Sequence, residues 1–321
     1  MDRDLGINLA RVTEAAALAS AKYMGKGLKN EADQEAVNEM RTMFNVLDID
    51  GQVVIGEGEI DQAPMLYIGE QVGDPSKPQV DIAVDPIDGT SSLADGRSNA
   101  ISVVAVAPQG CVLNGPDVYM KKIACGPKAK GAISLSASVS ENINNVAKAL
   151  NKNVDDITVS VLNRPRHENL VKEIRASGAR IRMVNDGDIL TALSTCFIGG
   201  KIDLMMGIGG APEGIIAAAG LKCLGGDFQG QFNPIGQDQM DRCLEKNVNL
   251  DKVYKIDDLI KGNDVLFAAT GITPGSFLDG VEFLEENQAT TESIVLRLPS
   301  GTTRFISSIH KLDQKLIKSH I

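Results

Sequence analysis

The sequence contains no tryptophan, and aromatic side chains make up 4% of its 321 residues. Proteins that bind single-stranded nucleic acid stack bases on aromatic side chains, so this scarcity argues against that class. Histidine is also scarce, with three residues in all. His167 and His310 have no partners at the spacing of a catalytic triad, which argues against a serine–histidine hydrolase.

Positive charge is in deficit, since the formal net charge is −10 and the isoelectric point is about 4.9. A protein that binds nucleic acid or anionic membranes through general electrostatics carries the opposite sign. We therefore expect neither partner. An anionic substrate would have to meet positive charge that is arranged locally.

The five cysteines are dispersed and form no CxxC pair. This pattern is typical of buried thiols in a reducing cytosol and does not indicate a zinc site or a redox motif. The N-terminal stretch has no basic leader, and no uninterrupted apolar run is long enough to cross a bilayer. These features predict a cytoplasmic protein.

Strand and helix patterns alternate along the chain, and hairpin-like strands follow near the C-terminal end. This order predicts a layered, mixed α/β fold. A chain of 321 residues exceeds what one hydrophobic core usually fills, so we expect two domains. Glycine and serine are frequent at 126–141, which places the predicted boundary between residues 1–135 and 136–321.

Several acidic residues stand beside a helix start or a glycine turn. They are Asp33, Glu57, Glu59, Asp85, Asp88 and Glu213. Each alone is typical of a solvated turn or a helix cap. The stretch VDIAVDPIDGTSSLA, however, runs a buried strand into two of them, where an unpaired charge is costly. Oxygen ligands from several loops suit Mg²⁺ or Mn²⁺, and the hydroxyl of Thr90 could orient a water or contact a phosphate.

Three features could bind a phosphate through positive charge or free backbone N–H groups. They are Lys29, the two arginines of NRPRH, and the helix start in GIGGAPEG. Asp186 and Asp188 of NDGD could cap a helix or accept hydrogen bonds from sugar hydroxyls. The glycines match neither GxGxxG nor the P-loop, so a nucleotide site is not indicated. A solvated basic turn and tight strand-on-helix packing are the structural alternatives.

Ordered blocks spread over about residues 5–310 resemble class II (GlpX-type) fructose-1,6-bisphosphatases. The blocks are GKGLKNEADQEAV, VVIGEGEIDQAPMLYIGE, VDIAVDPIDGT, GPDVYMKK, RPRH, DGD, GIGGAPEG and FAATGIT. ALASAKYMGKG, GGDFQGQ and FAATGITPG also resemble the branch that accepts both fructose-1,6- and sedoheptulose-1,7-bisphosphate.

The resemblance implies the two-domain fold shared with inositol monophosphatases, with a metal-binding domain at 1–135 and a sugar-phosphate-binding domain at 136–321. It implies metal-dependent hydrolysis of the 1-phosphate of fructose 1,6-bisphosphate, a gluconeogenic reaction. Asp33 and Glu57 would hold one Mg²⁺ or Mn²⁺ ion, and Asp85, Asp88 and Glu213 the other.

The resemblance and the chemistry of phosphate ester hydrolysis together suggest roles at the substrate. Thr90 would orient the attacking water or the phosphate, and either Glu57 or Glu59 would accept the proton. The expected substrate-binding residues are Lys29, Asp88, Gly89, Thr90, Tyr119, Arg164, Pro165, Arg166, Asp186, Gly187, Asp188 and Gly210. Asp88 stands where the class II pattern usually has glutamate; since aspartate is usual in the wider superfamily, we expect metal binding to be retained.

Two other functions fit the same residues: an inositol-monophosphatase-like phosphatase for another sugar phosphate, and a non-catalytic sugar-phosphate-binding regulator. Thr90 beside the carboxylates favours catalysis, because a sensor needs no hydroxyl to position water. Two arginines apart from the carboxylates favour a substrate with a second phosphate. The expected partner is a small sugar bisphosphate, and we expect a homodimer or homotetramer.

Overall fold

The computed structural model of the chain describes residues 1–2, 4–56, 66–197 and 201–313. The helices in these ranges are α1 Leu5–Ala21, α2 Lys29–Phe44, α3 Thr90–Ala94, α4 Val139–Leu150, α5 Glu168–Ala176, α6 Asp188–Leu193, α7 Ala211–Leu224, α8 Gly236–Glu245 and α9 Ile256–Leu259. The strands are β1 Asp50–Ile55, β2 Gln71–Gly73, β3 Gln79–Asp88, β4 Ile101–Pro108, β5 Tyr119–Cys125, β6 Thr158–Leu162, β7 Arg180–Val184, β8 Leu204–Gly210, β9 Asp227–Phe232, β10 Tyr254–Lys255, β11 Leu266–Gly271, β12 Glu282–Leu284, β13 Gln288–Arg297 and β14 Thr302–Lys311.

The chain forms two compact units. The first comprises Met1–Gly110 and Asp264–Ile321, and the second is Cys111–Asn263. The mixed α/β class predicted from the sequence is confirmed, since each unit combines one sheet with helices. The units differ from the division expected at residue 135, because β11 pairs with β4 and so joins the C-terminal strands to the first sheet.

The first unit is built on an eight-stranded sheet within the described residues, in the order β12-β13-β11-β4-β3-β1-β2, and β14 also pairs with β13. Helix α1 is buried over most of its surface, and the apolar residues of α1, α2 and this sheet form one hydrophobic core. Helix α2 starts at Lys29 after Leu28. The predicted hairpin is confirmed, with 298–301 connecting β13 to β14.

Strand β3 carries the acidic stretch and continues past Pro86 to Asp88. Asp85 lies opposite Val103 and Asp88 lies opposite Ile101, so one extra residue bulges from β3 between the two pairs. Proline lacks an N–H for a ladder hydrogen bond, which a bulge tolerates. Gly89 then adopts a φ of +98° and turns the chain into α3.

The second unit is built on a six-stranded sheet within the described residues, in the order β10-β9-β5-β8-β6-β7. Strands β6, β7 and β8 are parallel, and β5 is antiparallel to β8. Helices α4 and α5 pack on one face. Side chains alternate along β5, so Met120 and Lys122 point to the opposite face, where α7 passes at Gly214.

The parallel arrangement places the carboxyl ends of β6, β7 and β8 at one edge of the second sheet, together with the start of the antiparallel β5. Ligand sites in α/β sheets occur at such edges. In the part of the chain that the structure describes, no helix combines the length and the apolar character needed to cross a bilayer.

Candidate active site

In the first unit, the predicted site residues lie at the start of α2 and at the end of β3. Asp85 is half-buried, and its Oδ1 accepts a hydrogen bond from Ile87 N–H at 3.0 Å, which fixes the carboxylate across the bulge. Asp88 is buried, with 5% of its surface exposed. The bulge therefore holds two acidic side chains at the point where the strand turns into α3.

Thr90 links this turn to α2. Its Oγ1 lies 3.4 Å from Asp33 Oδ1 and 3.1 Å from the carbonyl oxygen of Ile87. Burial raises the pKa of Asp33 to about 6, although the Thr90 hydrogen bond and the Lys29 charge oppose the shift. A carboxylate in this position is poorly solvated, and a cation would stabilise its ionised form.

Lys29 is exposed, and its Nζ donates to Ser91 Oγ at 2.8 Å. This contact brings an ammonium group next to the first turn of α3, within reach of the residues that follow Thr90. The sequence analysis did not single out Ser91. Its place directly after the DPIDGT block would have been the signal.

In the second unit, Arg164 and Asp186 come from neighbouring strand ends and form an ion pair of 3.2 Å. Arg164 Nη1 also donates to the carbonyl oxygens of Asn163 and Asn185. The guanidinium is thus oriented before any substrate binds. Asp186, predicted to accept from sugar hydroxyls, is engaged with Arg164 in this structure.

Arg166 follows Pro165 in a short 3₁₀ turn, Pro165–His167. Its Nε and Nη2 donate to the carbonyl oxygen of Ile208 at 3.0 and 2.8 Å. The guanidinium also lies over the ring of Tyr119, 4.8 Å from the ring centre. A guanidinium carries five N–H donors, so an anion can still be bound by the others.

His167 is buried and holds this turn against β8. Its Nδ1–H donates to the carbonyl oxygen of Leu162 at 2.7 Å, and its Nε2 accepts from Ile208 N–H at 2.8 Å. The ring is therefore neutral. Burial lowers its pKa, and the nearby Arg166 and Arg164 charges add to that shift. His167 was considered from the sequence only as a possible member of a catalytic triad. In the structure it holds the turn Pro165–His167 in place through its two hydrogen bonds.

Asp188 begins α6 after Gly187, which adopts a φ of +75°. The buried carboxylate of Asp188 forms an ion pair with the buried ammonium of Lys122. Lys122 Nζ also donates to the carbonyl oxygen of Gly210 at 2.8 Å. The sequence analysis missed Lys122, although its two-residue spacing from Met120 on a strand would place it on a buried face.

Glu213 lies in the first turn of α7. Pro212 precedes it in the same turn, where proline is favoured because the missing N–H is not needed for a helix hydrogen bond. The Oε2 of Glu213 is shielded from solvent and has no hydrogen-bond partner among the described residues. Burial raises the pKa of Glu213, and the Lys122 ammonium opposes this shift. A Cβ on Gly210 would collide with the Glu213 carboxylate, so glycine is required for this approach.

These observations test whether the predicted ligands fit a divalent metal ion. Asp33 and Glu213 are carboxylates whose environment disfavours their charge, and Glu213 Oε2 is a buried acceptor without a hydrogen bond from the described residues. An oxygen-only donor set suits Mg²⁺ or Mn²⁺. The residues therefore fit such an ion.

The complete ligand set is not seen as one cluster. Within residues 1–2, 4–56, 66–197 and 201–313, no three acidic, histidine or cysteine side chains are grouped to hold a metal. Glu57 and Glu59 lie outside the described residues. Asp85 and Asp88 belong to the first unit and Glu213 to the second. The assignment of ions to these ligands stays a prediction.

The two α/β units carry carboxylates in both and oriented arginines in one, residue types that suit a phosphate ester. The family match assigns the chain to the phosphatases. The chain belongs to the family of bacterial fructose-1,6-bisphosphatases, glpX-encoded, whose pattern it matches over residues 3–310. Enzymes of this family depend on divalent metal ions. The family predicted from the sequence is thereby confirmed.

Characterised relatives match nearly the full length of the chain. It is 45% identical, over 98% of its length and 97% of the relative's, to fructose-1,6-bisphosphatase 1 class 2 of Escherichia coli strain K12. The fructose-1,6-bisphosphatase class 2 of Shigella flexneri matches with the same identity and coverage.

Solved structures with some likeness are much more distant. An extragenic suppressor from Pyrococcus furiosus is 14% identical with a TM-score of 0.28, covering 55% of this chain and 63% of that one. The extragenic suppressor protein suhB of Bartonella henselae is 12% identical with a TM-score of 0.35, covering 61% of this chain and 74% of that one.

Proposed function

We propose that this chain hydrolyses the 1-phosphate ester of fructose 1,6-bisphosphate, with water as co-substrate, to give fructose 6-phosphate and inorganic phosphate. The observation that carries the proposal is 45% identity over 98% of the chain to a class 2 fructose-1,6-bisphosphatase. The arrangement of side chains in each unit supports the same reaction.

Phosphate monoester hydrolysis needs positioning and charge stabilisation more than covalent chemistry. Divalent metal ions, when bound, neutralise charge on the phosphoryl oxygens and lower the pKa of water. Asp33, Glu57, Asp85, Asp88 and Glu213 are the residues that would hold them. We assign Mg²⁺ or Mn²⁺ to the site from the oxygen-only donor set.

Thr90 acts at the reacting phosphate. Its hydroxyl donates toward Asp33 or the carbonyl oxygen of Ile87, so it is held in place before the substrate arrives. The hydroxyl orients the attacking water in line with the leaving oxygen. Glu57 or Glu59 accepts the proton that this water releases.

The second unit binds the rest of the substrate. The guanidinium groups of Arg164 and Arg166 bind the distal phosphate. The ring of Tyr119 packs against the guanidinium of Arg166. Asp186, Gly187 and Asp188 meet the sugar hydroxyls. Lys29, exposed in the first unit beside Ser91, contributes a further positive charge to phosphate.

Phosphate release from a panel of substrates tests the proposal. The purified chain is assayed with fructose 1,6-bisphosphate, sedoheptulose 1,7-bisphosphate and inositol 1-phosphate, each with Mg²⁺, with Mn²⁺ and with EDTA. We expect metal-dependent release from fructose 1,6-bisphosphate, with fructose 6-phosphate as the product. Faster hydrolysis of inositol 1-phosphate, or binding of the bisphosphates without turnover, would contradict the proposal.

Sedoheptulose 1,7-bisphosphate is a second candidate substrate because it places two phosphates at the ends of a ketose in the same way. Turnover of both bisphosphates would assign the chain to the bifunctional branch. The homodimer or homotetramer expected from the sequence is tested in parallel by light scattering of the purified protein.

A further inference from the structure

Lys122 occupies the interior of the second unit, next to the predicted substrate and metal residues. The residue is 2% exposed, and its ammonium contacts the Asp188 carboxylate and the Gly210 carbonyl oxygen. Lysine is among the residues least often fully buried. Its position on β5 therefore requires an explanation.

Stability alone does not supply that explanation. Removing an ammonium and a carboxylate from water is costly, and the attraction between them only roughly offsets that cost. Apolar side chains of similar volume are often equally stable or more stable at such positions. A buried Lys122–Asp188 pair is thus better explained by what it orients than by the stability it contributes.

The surrounding backbone is shaped to admit the lysine side chain. A Cβ on Gly209 would lie 2.8 Å from Lys122 Nζ, and a Cβ on Gly214 would lie 2.9 Å from Lys122 Cδ. Both positions therefore need glycine for the lysine to pass. Lys122 also donates a hydrogen bond to the carbonyl oxygen of Gly210. These contacts connect Lys122 to the end of β8 and to the first turn of α7.

That turn carries Glu213. Burial raises the pKa of its carboxyl group, and the charge of the Lys122 ammonium opposes that shift. Lys122 therefore contacts or influences three residues with separate predicted roles: Asp188 at the sugar, Gly210 at the substrate and Glu213 at the metal. One buried ammonium links the sugar side of the site to its metal side.

We propose that Lys122 is a positioning residue of the phosphatase site, which acts by fixing the Asp188 carboxylate and the backbone at Gly210 in one orientation. The inference rests on the proposed function. Lys122 touches no reacting atom in this role. Its contribution reaches the substrate through Asp188, so its loss falls mainly on substrate binding.

The first test compares Lys122→Met with Lys121→Met. Methionine keeps the length and packing of the lysine side chain but removes the ammonium. Lys121 is exposed on the opposite face of the same strand and serves as the matched control. We expect Lys122→Met to raise KM for fructose 1,6-bisphosphate about 10- to 100-fold. Loss of a side chain that orients a ligand-binding group typically has an effect of this size. Lys121→Met should leave both kcat and KM unchanged.

The division between kcat and KM separates positioning from a structural role. A purely structural lysine would reduce the fraction of folded enzyme, which lowers apparent kcat and leaves KM as it was. That result would overturn the inference. A wild-type chain inactive on fructose 1,6-bisphosphate would instead overturn the proposed function, whatever the variants do.

The second test asks whether Lys122 acts through Asp188. In the double variant Lys122→Met/Asp188→Asn, residue 188 carries no charge that would need the ammonium of residue 122. The kcat/KM of the double variant should therefore lie within about twofold of Asp188→Asn alone, as expected for two residues that act as a unit. Independent effects that multiply would overturn the inference.

Thermal unfolding in EDTA gives a measurement that does not need turnover. Lys122→Met should melt below wild type because the Asp188 carboxylate stays buried without its ammonium. Adding Asp188→Asn should raise the melting temperature again, and a further decrease would contradict the pairing. If Lys122→Met does not fold, KM is compared between Asp188→Asn and the double variant, and equal values support the inference.

Discussion

The Thr90 hydroxyl lies 3.4 Å from Asp33 Oδ1 and 3.1 Å from the carbonyl oxygen of Ile87. A hydroxyl has one hydrogen to donate, so it can serve only one of these acceptors at a time. Its oxygen keeps lone pairs with which it can accept a hydrogen bond from water. This arrangement suits a group that holds a water molecule beside a carboxylate.

Thr90→Ala is expected to lower kcat about 100-fold, because the attacking water loses the group that orients it. Steady-state kinetics with fructose 1,6-bisphosphate measures the effect. Thr42→Ala is the control, since Thr42 is an exposed threonine on α2 whose hydroxyl donates to Asn38 O. Near-normal turnover by a folded Thr90→Ala enzyme would remove Thr90 from the mechanism.

Asp33→Asn is expected to reduce metal-dependent stabilisation strongly and to abolish activity. Adding Mg²⁺ at pH 7.5 should raise the melting temperature of wild type, because the ion binds the ionised Asp33 carboxylate. The same addition should have a much smaller effect on Asp33→Asn. Glu31→Gln, which removes an exposed charge from the same helix, should respond like wild type.

The pH dependence without metal has a defined direction. The pKa of Asp33 is about 6 in the folded chain and 3.8 in its ordinary surroundings, so the folded state binds the proton more tightly. The stabilisation is therefore complete below about pH 3.8 and is lost as the pH rises through about 6. In EDTA, wild type should lose stability relative to Asp33→Asn over this range. Parallel melting curves for the two proteins would refute the shifted pKa.

The sequence predicted the β13–β14 hairpin from its strand pattern. It did not predict β5, where two consecutive lysines interrupt the pattern. Lys121 is exposed, but Lys122 is buried because it pairs with Asp188, which is 66 positions away in sequence. A local pattern cannot reveal a charge that a distant residue neutralises.

Several candidate site residues have a local mark in the sequence, whereas the division into two compact units has none. Motif residues such as Arg164, Arg166 and Asp186 lie at strand ends, where a turn signal in the sequence marks them directly. The boundary depends on β11 pairing with β4, two strands separated by the whole second unit. Long-range strand pairing leaves no mark in local composition, so glycine and serine content gave a boundary inside the second unit.

His167→Gln is expected to destabilise the chain by about 1–3 kcal/mol, because the buried groups it joins lose a partner. The folded state lowers the pKa of His167 from its ordinary value of 6.5, so the neutral ring is favoured. Its contribution is thus complete above about pH 6.5 and is lost as the pH falls below that value.

Urea denaturation of wild type and His167→Gln at pH 7.5 and pH 5.5 measures this contribution. The carboxylates are the same in both proteins, so their titration cancels in the comparison. The difference in unfolding free energy should be smaller at pH 5.5. An equal difference at both pH values would contradict the prediction that protonation of His167 breaks its hydrogen bond with the Ile208 N–H.

Arg166→Met is expected to reduce recognition of the second phosphate and not the chemistry at the first. Hydrogen bonds to charged groups contribute about 1.5–3 kcal/mol, which corresponds to about 10- to 150-fold in kcat/KM. We therefore expect that loss with fructose 1,6-bisphosphate and little change with fructose 1-phosphate, which lacks the distal phosphate. Arg180→Met is the control, because its side chain is 63% exposed and paired with Asp156. An equal loss on both substrates would show that Arg166 acts at the reacting phosphate, or through Tyr119 and the fold, and would exclude it as the distal-phosphate ligand.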